Sequence, residues 1–387
     1  MRTALGAGLL ALVIAGLVSP RAVMSHGSST TTVLFDREIV RILNERCVMC
    51  HADNSLSFPL VTYEQTWLQG RSMRSSVLRR HMPPWPAVAG YGEFLNANHL
   101  TMRETQFLVS WVEGLGPRNA GKVFLNVVDP NARAPAEVRA TTHSDHWRLG
   151  KPDLARQLPP LSVAATERDV VKRTVVDLGL SSTRQVRALE FMPGARRVVR
   201  AATFSVERTG QWLGSWTPWH GFVTLPENVA YRLPAGTRIV ADIHYRGASE
   251  RVVDRGTLGV FFAKSPARES ATDLVIDARP AAAPSALRRG RPVGDASFNG
   301  RTRITVDTTV WAIQPEIVAG LSSLEVSARR SDGGTDVLLA LTEPSPDWPT
   351  PYLLKTPKLL ARGHELFVVA RSRTLQSARV RVRLSGY

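Results

Sequence analysis

The stretch Cys47-Val48-Met49-Cys50-His51 decides what kind of fold surrounds it. It has the C-x-x-C-H spacing at which a c-type haem is attached. In such a site each thiol adds its S–H across one vinyl group of the haem, and the adjacent histidine is placed to ligate the iron. The sequence therefore predicts one covalent haem c, bound through Cys47 and Cys50, with His51 as its proximal ligand.

Two other uses of a C-x-x-C pair fit the sequence less well. A structural zinc site needs two further ligands, usually thiolates or imidazoles, and the chain has only these two cysteines. A thioredoxin-like dithiol would follow a strand in a βαβ unit. Here the motif follows Phe35 to Arg46, in which Ile39, Val40, Ile42 and Leu43 fit one face of a helix.

A second helix is predicted after the motif. Thr101-Met102-Arg103-Glu104 has the pattern of a capping box, and Phe107, Leu108, Trp111 and Val112 follow with helical spacing. Gly114, Gly116 and Pro117 then end the helix. We expect residues 30–118 to form a small all-α cytochrome c-type domain, in which the haem supplies apolar core that so short a segment otherwise lacks.

The sixth iron ligand has several candidates. Methionine is typical of electron-transfer cytochromes because its thioether favours reduced iron, and Met73, Met82 and Met102 all follow the motif. Met82 is preferred, since Pro83 and Pro84 stiffen its loop and bias it towards an extended backbone. His81 and an open sixth position remain alternatives.

The N-terminus resembles a secretory signal. Arg2 precedes an uncharged apolar run from Ala4 to Val18, which is short for a membrane span. Residues 1–25 are therefore predicted to be a signal peptide cleaved after Ala22 or Ser25, with an uncleaved anchor as the alternative and no other contact with a membrane. Bacterial c-type haem is attached outside the cytoplasm, so a periplasmic or secreted location agrees with the motif.

The chain is strongly basic, with a net charge of +16 over 387 residues. Its basic residues are scattered and form no patch interleaved with aromatic residues, so nucleic acid is not an expected partner. A solvated basic surface is the simplest interpretation, and docking to an acidic redox protein is the functional one. The oligomeric state is left open.

After a predicted polar linker at 119–145, the residue composition changes from one typical of helices to one typical of strands. Runs rich in Val, Thr and Ile recur between Gly, Pro and Asp, which is typical of antiparallel β-sandwiches. Two clusters are predicted, at 146–265 and 280–387, separated by Ala281-Ala282-Ala283-Pro284. The predicted strands cover Val170–Val176, Val198–Ser205, Thr237–His244, Thr257–Ala263, Thr302–Thr309, Ser323–Ala328, Asp336–Leu341, Glu365–Arg371 and Ala378–Leu384.

Several short motifs of this region resemble those of a known family. They are Trp147 to Asp153, Met192-Pro193-Gly194, Ile243-His244-Tyr245, Trp348 to Tyr352 and Pro357. Together they resemble the copper type II ascorbate-dependent monooxygenases, which include the peptidylglycine and dopamine hydroxylating enzymes. Met82-Pro83-Pro84-Trp85 resembles the cytochrome c domain fused in front of bacterial relatives. The resemblance implies two antiparallel jelly-roll-like β-sandwich domains, each with one copper site.

Most copper ligands of that family are replaced here. The resemblance places Arg200-Ala201 where an adjacent His-His pair is expected, and retains only His244 of the same site. Pro315-Glu316-Ile317-Val318 stands where Pro-His-x-His is expected, and no methionine follows Met192. Since copper at such sites needs imidazole or thioether ligands, copper is not expected and His244 is at most a remnant ligand. A rearranged site from His143, His146, His220 and His244, or one completed by a second chain, stays open.

These observations predict an exported mono-haem c-type cytochrome that transfers single electrons. The β part would dock a partner or bind a ligand rather than hydroxylate a substrate, because a fold without its site does not carry the activity. The alternatives are a haem-fused copper monooxygenase acting on a C–H bond, and a haem sensor or peroxidase-like protein with an open sixth position.

Overall fold

A computed structural model describes residues 31–53, 55–119, 146–281, 296–374 and 378–387. The predicted signal peptide and nearly all of the predicted linker lie outside these residues, as does most of the predicted joint near Pro284. The described chain begins with a helical segment and continues as antiparallel β-sheet.

The helical segment contains a π-helical turn and four short α-helices. The turn is Phe35–Ile39, and it runs directly into the first helix. The helices are α1 (Val40–Arg46), α2 (Tyr63–Leu68), α3 (Gly70–Leu78) and α4 (Met102–Glu113). None of the helices in the described residues is long and apolar enough to span a membrane.

The apolar faces predicted from the sequence form the core of this segment. Ile39, Val40 and Leu43 are completely buried, as are Leu108 and Trp111 of α4. The capping box at the start of α4 is confirmed, because Thr101 Oγ1 accepts a bond from the Glu104 N–H and Glu104 Oε2 accepts one from the Thr101 N–H.

The described part of the β region contains twenty strands. The first twelve are β1 (Leu154–Gln157), β2 (Leu161–Val163), β3 (Asp169–Asp177), β4 (Arg184–Met192), β5 (Val199–Val206), β6 (Trp212–Trp216), β7 (Phe222–Thr224), β8 (Val229–Leu233), β9 (Arg238–Arg246), β10 (Val252–Asp254), β11 (Thr257–Phe262) and β12 (Glu269–Ser270). The remaining eight are β13 (Thr272–Pro280), β14 (Ala296–Arg303), β15 (Thr308–Pro315), β16 (Leu321–Arg329), β17 (Thr335–Thr342), β18 (Tyr352–Leu360), β19 (Glu365–Ser372) and β20 (Val380–Gly386).

The strands pair into two groups of sheets. The first group contains three sheets in the described part of the chain. The largest has the order β1-β11-β4-β8-β12, with β7 also paired to β4. The other two are the sheet β3-β9-β5-β6 and the short ribbon β10-β2. In the second group, which we call the second sandwich, the order is β17-β16-β19-β14-β13-β20-β15-β18. Among the described residues only β12 and β8 pair in parallel. The chain is thus mostly β, with curled antiparallel sheets consistent with β-sandwich architecture.

Eight of the nine predicted strands match observed strands within a few residues. The exception is the run Thr302–Thr309, which spans the turn between β14 and β15 instead of forming one strand. Strand β13 begins ahead of residue 280, and it pairs with β20 along Thr272 to Ala278. It therefore belongs to the second sandwich, although the sequence boundary had placed it before that cluster.

The segment that follows Met82 lies against the second sandwich. The Val88 N–H donates to the Ala340 carbonyl at 2.8 Å, and the Leu95 N–H donates to the Leu353 carbonyl at 2.8 Å. Trp85 is buried in the core of the second sandwich, with its ring centroid 5.2 Å from that of Tyr352. The helical segment and the β-sheets are consequently joined by hydrogen bonds and by shared core.

Candidate functional site

The C-x-x-C-H motif forms the turn that ends α1. The Cys47 N–H donates to the Leu43 carbonyl, and the N–H groups of Cys50 and His51 both donate to the Cys47 carbonyl at 3.0 Å. Val48 points into the helical core and is completely buried. This anchoring leaves Cys47, Cys50 and His51 lining one cavity together.

The imidazole of His51 is oriented by the backbone. Its Nδ1 lies 2.9 Å from the Phe58 carbonyl oxygen. Because a carbonyl only accepts hydrogen bonds, Nδ1 carries the proton and Nε2 is left with its lone pair. Burial lowers the pKa of His51, and the nearby positive charge of Arg246 lowers it further, whereas the bond to Phe58 acts in the opposite direction. A neutral imidazole with a fixed tautomer is the form that ligates a metal.

The thiols of Cys47 and Cys50 are half-buried and are not joined in a disulfide. Desolvation raises the pKa of Cys47 to about 12 and that of Cys50 to about 12. In this state both are neutral thiols at neutral pH.

The cavity encloses about 950 Å³, including space open to solvent. Apolar side chains form most of its wall, with Leu56, Phe58, Leu60, Met73, Val77 and Leu100 from the helical segment. The described charged residues that line it are all arginines, namely Arg46, Arg200 and Arg246. A cavity of this kind suits a large apolar ligand that carries negative groups.

Two of the three candidate methionines reach this cavity. Met82 lines it beside Pro83 and Pro84 and is 39% exposed, whereas Met73 lines it from α3 and is buried. Met102 is 73% exposed and lies elsewhere, at a groove along α4. His81 is exposed and does not line the cavity. The sequence preference for Met82 over Met73 stays a prediction, since both side chains are within the same wall.

The β-sheets contribute part of the wall, which the sequence did not indicate. Arg200 of β5, Arg246 of β9 and Trp348 all line the cavity. The Arg200 guanidinium bonds Asp169 at 3.1 Å and Asp347 at 3.0 Å, and it lies 5.4 Å from the centre of the Trp348 ring. Arg246 Nη1 donates to the Leu56 carbonyl at 3.1 Å. No local motif marks these residues, because they come together only through the fold.

His244 lies beside the two residues that the resemblance places where a His-His pair is expected. Ala201 of β5 lies directly opposite His244 of β9, with a bulge between Val199 and Ala201 that contains Arg200. Burial lowers the pKa of His244; Asp242 and Asp347 raise it, whereas Arg200 lowers it. The Arg200 guanidinium and the Ala201 methyl group therefore lie beside His244, the residue that the resemblance makes a remnant copper ligand at most.

Of the other histidines proposed for a rearranged copper site, the described ones, His146 and His220, are not grouped with His244. His220 lies near Arg148, and His146 lines a small cleft with Arg148 and Glu190. His143 falls outside the described residues. Within the described ranges, no three His, Cys, Asp or Glu side chains are grouped so that they could hold a metal ion.

Comparison with known proteins assigns no family. No family model matches the chain, and no curated protein matches it. Among solved structures, allantoicase is 10% identical, covering 56% of this chain and 78% of its own, with a TM-score of 0.20. The PBSX exported protein XepA is 10% identical, covering 60% and 86%, with a TM-score of 0.18. The major capsid protein P2 of bacteriophage PM2 is 8% identical, covering 60% and 97%, with a TM-score of 0.23. Scores this low do not assign the chain to a family.

Proposed function

We propose that this chain is an exported mono-haem c-type cytochrome that passes single electrons to or from a redox protein. The observation that carries the proposal is the convergence of Cys47, Cys50 and His51 on one apolar cavity, with Nε2 of His51 left free by the Nδ1 bond to Phe58. In this proposal residues 30–118 are the cytochrome c-type domain. The β-sandwiches are a monooxygenase-like module that has lost its copper.

The residues present fit haem c in three respects. The thiols of Cys47 and Cys50 stand at the attachment spacing, the wall is largely apolar, and the charges on the wall are positive. When bound there, haem c supplies one-electron oxidation and reduction of its iron. His51 and a thioether from Met82 would hold the iron.

The position of the cavity supports contact with a partner. Phe58 is 44% exposed and Met82 is 39% exposed, so the edge of the cavity is within reach of the surface. The chain carries a net charge of +16, which would steer an acidic redox protein towards it. The periplasm or the exterior of the cell is the compartment in which such a chain would work.

The test uses the full chain, produced in a host that exports it and attaches c-type haem. We expect a reversible one-electron redox titration, iron at one atom per chain, copper near zero after incubation with copper salts, and no binding of carbon monoxide to the reduced protein. Stoichiometric copper that disappears in His244→Ala would favour a monooxygenase instead. Rapid binding of carbon monoxide by the wild type would indicate an open sixth position and favour a sensor or peroxidase-like role.

A further inference from the structure

We propose that the β-sheets complete the haem site by binding the two haem carboxylates with Arg246 and Arg200. The inference rests on the proposed function, because it concerns the propionate groups of the same cofactor. In this proposal the β-sheets bind part of the cofactor in addition to docking a partner.

Arg246 is the first reason for the proposal. It lies at the end of β9 and lines the same cavity as His51. Its guanidinium has five N–H donors, and one of them is used, by the Leu56 carbonyl. Within the described ranges no carboxylate forms an ion pair with it. A cation that faces an apolar cavity without an acidic partner is suited to an anionic group of the ligand.

Arg200 is the second reason. Its side chain is only 12% exposed, and it lines the cavity from the bulge in β5. Asp169 and Asp347 each bond one of its nitrogens, and Trp348 stacks against it, so its position is fixed. The guanidinium has five N–H donors and faces two carboxylates, so it has donors for a further acceptor. Fixed guanidinium groups bind carboxylates with defined geometry at a small loss of side-chain entropy.

Arg46, the third arginine of the wall, belongs to the helical segment, where its Nε donates to Glu104 at 3.2 Å. Of the three arginines, Arg246 is the one for which the described residues provide no carboxylate partner, so the proposal rests first on Arg246. Arg246 and Arg200 lie on β9 and β5, and the carboxylates of the ligand would point towards these strands.

The test compares Arg246→Gln and Arg200→Gln with Arg232→Gln in the haem-loaded full chain. Arg232 is an exposed residue of β8 that does not line the cavity, so its substitution removes the same charge elsewhere. We expect Arg246→Gln and Arg200→Gln to shift the propionate bending bands in the resonance Raman spectrum. They should also lower the midpoint potential, since removing a positive charge stabilises ferric iron. Arg246→Lys should restore the potential, and Arg232→Gln should change neither quantity.

Arg200→Gln leaves Asp169 and Asp347 without their partner. If this variant does not fold for that reason, Arg246→Gln alone tests the inference. If Arg246→Gln keeps the propionate bands of the wild type, the arginine only ties the loop at Leu56 to β9, and the inference is wrong. A wild-type chain that carries no haem at all would instead contradict the proposed function, and the inference with it.

Discussion

At the scale of single residues, one backbone carbonyl orients His51. The Phe58 carbonyl oxygen accepts a hydrogen bond from Nδ1–H of His51, with 2.9 Å between the nitrogen and the oxygen, and this bond fixes both the tautomer and the ring orientation. The sequence showed that His51 follows Cys50, but it did not show which carbonyl would accept this hydrogen bond. The motif was predictable because its five residues are adjacent. Its orienting partner depends on how the loop from 52 to 60 closes.

The identity of the sixth ligand can be tested with two matched methionine variants. We expect Met82→Ala to lose the weak charge-transfer absorption that a thioether gives with ferric haem, whereas Met73→Ala should keep it and lose stability. The physical reason is that Met73 belongs to the helical core, while Met82 sits on the loop at the cavity edge. Met102→Ala, at an exposed position away from the cavity, is the control. Loss of the band in Met73→Ala alone would assign the ligand to Met73.

His220 makes the free energy of unfolding depend on pH in the acidic range. Burial lowers its pKa to about 4, and Arg148 contributes in the same direction. The unfolded chain takes up this proton near the ordinary value of 6.5, so the stabilisation is complete above pH 6.5 and is lost as the pH falls towards 4. The loss is about 3 kcal/mol for a shift of this size. Urea unfolding at several pH values should show a weaker acid dependence in His220→Gln, while the exposed-site control His99→Gln should match the wild type.

At the scale of elements, the loop that carries Met82 is held by strands distant in the sequence. Asn96 is buried, and its side chain donates to the Pro351 carbonyl at 2.6 Å and accepts from the Leu353 N–H at 3.1 Å. The segment therefore runs as an extra edge along β18, in line with the bond from Leu95 to Leu353. The prolines after Met82 limit the loop locally, but its attachment is tertiary.

Removing the Asn96 side chain should loosen that attachment. We expect Asn96→Ala to cost about 2–4 kcal/mol, because it leaves a buried N–H and a buried carbonyl without partners. The expected readouts are a lower urea midpoint and a thioether–iron absorption band that fades at a lower temperature than in the wild type. Asn299→Ala, at an exposed position of β14, is the control. An unchanged midpoint in Asn96→Ala would show that the loop does not depend on these two bonds.

The elements that the sequence predicted best are those with a strong local pattern. The capping box predicted the start of α4, and the runs rich in Val, Thr and Ile predicted β3 and β9. β6 was not predicted, because the stretch from Trp212 to Trp216 contains no Val, Thr or Ile. The run Thr302–Thr309 was misplaced because Ile304 and Val306 continue an apolar alternation through a turn, where the Asp307 side chain accepts the Arg362 N–H.

At the scale of the whole molecule, the candidate site lies where the helical segment meets the β-sheets. The motif and Met82 were predictable from the sequence, whereas Arg200, Arg246 and Trp348 are separated from Cys47 by some 150 to 300 residues and carry no motif. The β region thus forms part of the cavity wall, and its sheets position two cations there.

The central claim is that Cys47 and Cys50 hold one covalent haem, and intact-mass spectrometry after acid–acetone extraction tests it most directly. The full chain and a Cys47→Ala/Cys50→Ala variant would be produced in the same exporting host, beside a known c-type cytochrome that confirms haem attachment. We expect the wild type to have the mass of the polypeptide plus one haem, and the variant to have the mass of the polypeptide alone. A wild-type chain at the bare polypeptide mass, with the control cytochrome fully loaded, would contradict the account.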